Sequence, residues 1–381
     1  MKRILIFCDG TWNSPDDARV TNVVNLRNAV VEDENQTVIY IPGVGTGGRW
    51  TTFVGKWMNK IGGGAFGWGL NQNIKVAYAA LAEQYNPGDK IMIFGFSRGA
   101  YTARSLVGMI RKCGLPAKNK VTKATVNKAF RIYRKRGTKH RPDADKIWPR
   151  RKRISPYATS KTDQTKRGDN AFILHIEYLG IWDTVGALGI PSNLLGTFSR
   201  HVNSRHQFHD THLTKMVKSA RHAVALDERR KFYLPSLWEN LDSGPGGGLN
   251  NGKTGAARRF QQMWFIGDHR VLGGRSTAGG LVSYPLQWII DGATNYNMKL
   301  KSNVRLPKDT PNAMQAAPEM NNPKGFYKLQ PGLLGWRTGP LQDADRHPSV
   351  DERLAADPLY RPRSMASLRP DLWPQSRSRI T

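Results

Sequence analysis

Cysteine, acidic residues and long apolar runs are what this sequence has little of. Its two cysteines, Cys8 and Cys113, cannot build a disulfide framework and have no zinc-site spacing. Cys8 lies in an apolar run and reads as a small core residue. No apolar run approaches the ~20 residues needed to span a bilayer. The opening MKRILIFCDG carries two cations and then five apolar residues before Asp9, too short for a secretory h-region. The chain is therefore expected to be made as a soluble cytoplasmic protein, with export open to specialised secretion systems that cleave no signal. Acid is scarcer still: 29 Asp and Glu stand against 58 Lys and Arg, for a net charge of +29. Residues 1–100 are nearly balanced, with 10 basic and 8 acidic side chains, whereas residues 111–170 hold 20 basic and 4 acidic ones. Such a block attracts nucleic acid, anionic lipid headgroups or acidic partners; the plainer reading is a solvated face of a protein with high pI.

What is present fits a globular α/β protein. The apolar fraction is 39% and the aromatic fraction 9% over 381 residues, enough to bury a full core in one large domain or two smaller ones. RILIFC (3–8) and TVIYIP (37–42) read as strands closed by turn residues. LNQNIKVAYAALAEQY (70–85) has helical spacing and is stopped by Asn86-Pro87-Gly88-Asp89. KIMIF (90–94) is a continuous apolar run, the mark of a strand buried on both faces. YTARSLVGMIRKCG (101–114) reads as helix. Residues 115–170 break the rhythm with a basic helix candidate, KATVNKAFRIYRKRG, and a loop-like remainder. Strand signals return at 172–182 and 263–266. Residues 212–231 have an amphipathic helix pattern, and YPLQWIIDGA suggests another short helix. Beyond about residue 306 the chain is rich in Pro, Arg and Ser, and reads as an irregular wrap or flexible tail.

Gly95-Phe96-Ser97-Arg98-Gly99 is a G-x-S-x-G match, weak alone but set here between a buried strand and a helix. That is the context in which the flanking glycines permit a tight turn that lifts a nucleophilic serine above the sheet edge. A serine nucleophile needs a base and an acid that orients it. In the α/β-hydrolase order these follow as Asp or Glu and then His. Asp183 and His269 each sit just past a strand, in that order. An oxyanion hole would combine the backbone N–H of Arg98, at a helix N-terminus, with one from the loop after the first strand, where Gly10 and Thr11 are the candidates. Asp9 reads either as a residue that pins this loop or as a simple turn former.

Two other readings compete. HVNSRHQFHDTH packs His201, His206, His209, Asp210 and His212 into twelve residues, and short His-rich tracts can bind metal. No H-x-x-x-H helix pair with a glutamate accompanies them, so no metal site is assigned. A hydrolase-like scaffold that uses its basic face to bind nucleic acid or an acidic partner is the other. Charge is its sole support, since no helix-turn-helix, zinc or RNA-binding signature appears. His222 and Asp227-Glu228-Arg229-Arg230 are expected on one helix, as a structural network.

FCDGTWN, TNVVNL, PGVGT, GGAFGWGL, NPGDKIMIFGFSRGAYTARSL, GIWDTVGALGIP, HDT, HAVALDERR and WFIGDHRVLGG together resemble the family of uncharacterised α/β-hydrolases that includes the type VI secretion lipase effectors, over roughly residues 1–295. Where many relatives carry Asp two residues after the histidine, this chain has Val271. The resemblance implies a mostly parallel α/β-hydrolase-like sheet flanked by helices, with a basic, lid-like insertion at 115–170. Together with the composition, it suggests a catalytic domain over 1–305 and a Pro/Arg-rich irregular extension over 306–381. It further implies a Ser97–Asp183–His269 triad that needs no cofactor, acting on a lipid ester or phospholipid, with contact to an anionic membrane surface.

Overall fold

The computed structural model describes residues 1–10, 20–43, 69–186, 211–244, 246–317 and 331–372. Six strands form one parallel sheet in the order β2-β1-β3-β4-β5-β6. They are β1 (Arg3–Cys8), β2 (Gln36–Ile41), β3 (Lys90–Phe96), β4 (Ile176–Trp182), β5 (Ala220–Ala225) and β6 (Phe260–Phe265). The near-continuous apolar runs of β1, β3 and β4 follow from burial on both faces. Ile4, Ile6, Ile91, Ile93, Leu179 and Ile181 enter one cluster, while Leu5, Phe7, Met92, Phe94, Tyr178 and Trp182 enter the other.

Among the described residues, helices cover both faces. In chain order they are α1 (Asn22–Ala29), α2 (Leu70–Gln84), α3 (Arg98–Cys113), α4 (Lys123–Tyr133), α5 (Trp148–Lys152), α6 (Lys161–Arg167), α7 (His269–Leu272), α8 (Gly279–Thr294) and α9 (Pro348–Ala356). α2, α3 and α4 cover the first face, and α1 and α8 the second. No helix among the described residues is long and apolar enough to cross a membrane.

One expectation needs correction. The stretch 212–231 forms no α-helix: turns and loops flank β5, where Ala220, Ala223, Val224 and Ala225 are buried on an interior strand. His222 therefore stands on a strand, with Asp227–Arg230 in the loop beyond it. The small alanines gave the stretch a helical look, while burial on both faces hid the alternation of a strand.

The basic insertion packs mainly along and beyond α3. α4 lies alongside α3, with Ala129 against Cys113 and Tyr133 beside Gly108. Tyr133, Arg134 and Arg136 come near Tyr101 in the first turn of α3. The rest folds around the far end of α3, where Arg151 donates to the carbonyls of Arg111 and Pro142, and Ser155 accepts from Leu115 N–H. Fifteen residue steps along α3 put that end about 22 Å from Ser97. Buried Arg151 and Arg167 both pair with Asp163, so part of the charge is internal scaffolding.

The described parts of the C-terminal extension, 306–317 and 331–372, wrap onto the domain. Val350, Leu354, Tyr360 and Met365 join Val224, Trp264, Val271 and Leu281 in a third cluster. Arg346 bridges Trp264, and His347 N–H donates to the Trp264 carbonyl at 2.9 Å. The extension thus covers the edge of β6, which would otherwise offer unpaired backbone to another chain.

Candidate active site

The site forms where β3, β4 and the segment after β6 leave the carboxyl edge of the sheet. Phe96 and Trp182 are paired neighbours in the β3–β4 register, so the residues that follow them, Ser97 and Asp183, exit side by side. Ser97 turns sharply, with φ 57° and ψ −122°, and α3 begins at the next residue. The turn needs its glycines. A Cβ on Gly95 would lie 2.7 Å from the Gly99 carbonyl oxygen, and one on Gly99 would collide with the carbonyl of Cys8. Asp183 also has positive φ, at 38°. Strained residues of this kind cost about 1–3 kcal/mol each and persist only where surrounding contacts hold them.

His269 opens α7, capped by Asp268, whose carboxylate accepts from the N–H groups of Arg270 and Val271. Its backbone N–H donates to Glu228 Oε2 at 3.2 Å. Its ring lies between those of Phe96 and Tyr233, with centroids 4.7 Å away on each side. The two glycines after this short helix have a steric reason. A side chain on Gly273 would strike the Phe96 ring, and Gly274 has φ +90°.

These placements bring three side chains into one line. Ser97 Oγ is 2.8 Å from His269 Nε2, and His269 Nδ1 is 2.5 Å from Asp183 Oδ2. Ser97, His269 and Asp183 are 7%, 5% and 0% exposed, so water competes little for their hydrogen bonds. Asp183 also accepts from Ala225 N–H at 2.9 Å. Arg337 grips it by both oxygens, with Nη1 2.6 Å from Oδ1 and Nη2 2.9 Å from Oδ2. Burial opposes the charge on Asp183, yet the Arg337 guanidinium and the His269 hydrogen bond hold its carboxyl well below the usual carboxylate range.

The loop after β1 is held by Asp9. Its carboxylate accepts from Gly10 N–H at 2.7 Å, Thr21 Oγ1 at 2.8 Å and the Tyr40 hydroxyl at 2.7 Å. Burial nevertheless pushes its pKa up to about 6. Gly10, a candidate oxyanion donor, thus already has a partner for its N–H; Thr11 lies outside the described residues. Arg98 is the first residue of α3, where a helix leaves backbone N–H groups without intrahelical acceptors. Burial lowers its side-chain pKa.

His201, His206, His209 and Asp210 lie outside the described residues, and His212 is the member of that tract within them. Among the described residues no group of three His, Cys, Asp or Glu stands close enough to hold a metal ion. His222 is fully buried with its pKa lowered by burial to about 3. Neutral, its Nδ1–H donates to Gln262 Oε1 at 3.0 Å, and its Nε2 accepts from Thr184 N–H at 3.2 Å. It therefore supports the loop that carries Asp183.

Residues 2–292 match the family described as T6SS, phospholipase effector Tle1-like, catalytic domain. The chain belongs to that family. It is 29% identical over 256 residues to the uncharacterized protein YEL023C of Saccharomyces cerevisiae, covering 62% of this chain and 34% of that protein. The chain thus spans about a third of that relative's length. A crystal structure of an uncharacterized protein from Pseudomonas aeruginosa is similar at 16% identity with a TM-score of 0.42, covering 81% of this chain and 48% of that one. The structure of the Tle1 effector bound to the VgrG spike of the type VI secretion system aligns at 17% identity and a TM-score of 0.32, over 72% of this chain and 51% of that one.

Two groups at the Tle1-like site escaped the sequence reading. Arg337 lies beyond the family match, in a stretch without periodicity, and nothing local marks it. Tyr233 stands in an irregular loop. Its one signal is the neighbouring Glu228–Arg230 pair, for Arg230 bonds Glu228 and stacks over the Tyr233 ring at 4.2 Å.

Proposed function

We propose that the chain is a serine ester hydrolase on an α/β-hydrolase-like fold, cleaving a lipid ester, foremost a phospholipid, through an acyl-enzyme. The observation that carries this reading is the continuous hydrogen-bonded line from Ser97 through His269 to Asp183, at 2.8 and 2.5 Å, in a chain of the Tle1-like phospholipase effector family.

In the first step Ser97 Oγ attacks the acyl carbonyl and His269 Nε2 takes the serine proton. Asp183 accepts from Nδ1–H, fixing the tautomer and stabilising the imidazolium. The carbonyl oxygen becomes an oxyanion facing the N-terminus of α3, where Arg98 N–H is one donor. Gly10 or Thr11 is the candidate second donor; Gly10 serves only by exchanging its bond to Asp9 for one to the substrate. The carbonyl re-forms as the ester C–O bond breaks, and His269 gives its proton to the departing alcohol oxygen. Water, deprotonated by His269, then attacks the acyl-enzyme, releasing a fatty acid and restoring Ser97. The reaction so written needs no cofactor.

The cationic segment 115–170 suits contact with an anionic bilayer. Lys123, Lys128 and Arg131 on α4 and Lys135, Lys139 and Arg141 beyond it are all exposed. Export through a specialised secretion system accords with the family. Incubation with vesicles rich in anionic phospholipid should release free fatty acid, and Ser97→Ala should lower that release at least about 10³-fold. Equal release by Ser97→Ala would refute the mechanism. Salt-sensitive nucleic-acid binding without ester cleavage would favour the basic face as a binding surface instead.

A further inference from the structure

Asp183 is held from its far side by an arginine that lies 154 residues away in the chain. We propose that Arg337 is a positioning residue of the hydrolytic site, so that the segment 331–372 completes an active site begun by the catalytic domain. The inference rests on the serine-hydrolase reading above.

The geometry is that of a two-point clamp. Nη1 and Nη2 of Arg337 each meet a different oxygen of Asp183, at 2.6 and 2.9 Å. A bidentate fork fixes the plane of a carboxylate as well as its place. With Ala225 N–H on Oδ1, the clamp turns Oδ2 toward His269 Nδ1. Asp183 sits at φ 38°, a backbone state that relies on such outside support.

Arg337 is itself fixed. Nη1 also donates to the Ala225 carbonyl at 3.0 Å, and Nη2 to the carbonyl of Tyr233, whose ring lies on His269. Its backbone arrives on a stretch bound to the loop after β5. Leu334 bridges Arg230, Gly335 N–H donates to the Arg229 carbonyl at 2.7 Å, and Arg229 stacks over Trp336. The extension is thus docked on both sides of the clamp.

Charge gives the clamp its chemical purpose. Burial pushes Asp9 and Asp227 up to about 6 despite the hydrogen bonds each accepts. Neither has an arginine fork. Asp183 is as buried, has the fork, and is held far lower. Only an ionised Asp183 sets a negative charge against the imidazolium that forms on His269. Among the described residues, other charged or titratable groups around the pair include Tyr233, Glu228, Arg230 and Asp268 beside His269, His222 on β5, and Arg98 and Arg104 on α3. Without Arg337, Asp183 takes a proton more readily, and the acid limb of the site moves toward higher pH.

The test is the rate at which a fluorophosphonate labels the full-length chain, measured across pH for wild type, Arg337→Lys and Arg337→Met. Arg337→Met should label about ten- to a hundredfold more slowly at neutral pH, with its acid limb shifted upward. Arg337→Lys keeps one charge but not the fork, and should lie between, with a limb nearer to wild type. A merely structural role would lower the thermal midpoint and leave rate and limb of the folded protein unchanged. That result, in either variant, overturns the proposal. If Arg337→Met does not fold, Arg337→Lys decides alone, and a wild-type rate there refutes the clamp. A wild-type chain that does not label overturns the hydrolase reading, and this inference with it. A labelled wild type with unaffected variants overturns this inference only.

Discussion

Gly99 on α3 and Cys8 at the end of β1 approach so closely that no side chain fits between the Gly99 Cα and the Cys8 carbonyl. This contact sets the start of α3 against the exit of β1, and so brings the Arg98 N–H toward the loop that holds Gly10. The sharp turn at Ser97 depends on it.

Gly99→Ala is therefore expected to force α3 outward. Overpacking of this kind costs about 1–3 kcal/mol. The thermal midpoint should fall, and any folded protein should lose reactivity at Ser97. Calorimetry and probe labelling together check this, and an unchanged midpoint with full labelling would contradict it.

Asp227 predicts a pH dependence of stability. It is fully buried, accepts from Gly267 N–H and the Tyr360 hydroxyl, and is pushed up to about 6 by burial. Its ordinary pKa is about 3.9. Below about pH 4 both folded and unfolded chains carry the proton; from there to about pH 6 the unfolded chain loses it first, so this group's contribution falls as pH rises. Asp183 works in the opposite direction, stabilising above its ordinary pKa and losing that contribution as pH falls below it. Asp227→Asn should be more stable than wild type at pH 7 by about 1–3 kcal/mol and level with it below about pH 4. Thermal midpoints of both proteins from acid to neutral pH test this.

Leu354 tests whether the extension belongs to the cooperative fold. It packs in the cluster containing Trp264 and Val271. Leu354→Ala should cost about 2 kcal/mol or more and lower one common transition. A separate early transition, with the main one unmoved, would show the extension melting on its own.

Lys128 and Arg131 are exposed on α4. Replacing both by Gln should weaken sedimentation with anionic vesicles by about 1 kcal/mol per charge, with a shallower salt dependence and no effect on neutral vesicles. Unchanged binding would locate the membrane contact elsewhere.

Much of the candidate site's geometry was legible because its signals are local. β3 and the glycines around Ser97 are contiguous in sequence, and Asp183 and His269 each follow an apolar run. β5 was not, since its alanines suit a helix and its polar Arg221 and His222 are taken up by contacts from distant elements. Arg221 reaches the Trp288 carbonyl, and His222 reaches Gln262 and Thr184. The basic segment betrayed its charge but not its place, because Arg151 and Arg167 look like surface cations until Asp163 is seen between them. Arg337 was hidden for the same reason, its meaning residing wholly in a partner 154 residues away.

The central claim is that Ser97 is an activated nucleophile. Its most direct test is to react the full-length protein with a fluorophosphonate, in the presence of lipid vesicles, and to map the modified residue by peptide mass spectrometry. The account predicts a single label on Ser97, absent from Ser97→Ala and sharply reduced in His269→Ala. A folded protein that takes no label, or takes it on another residue, would contradict it.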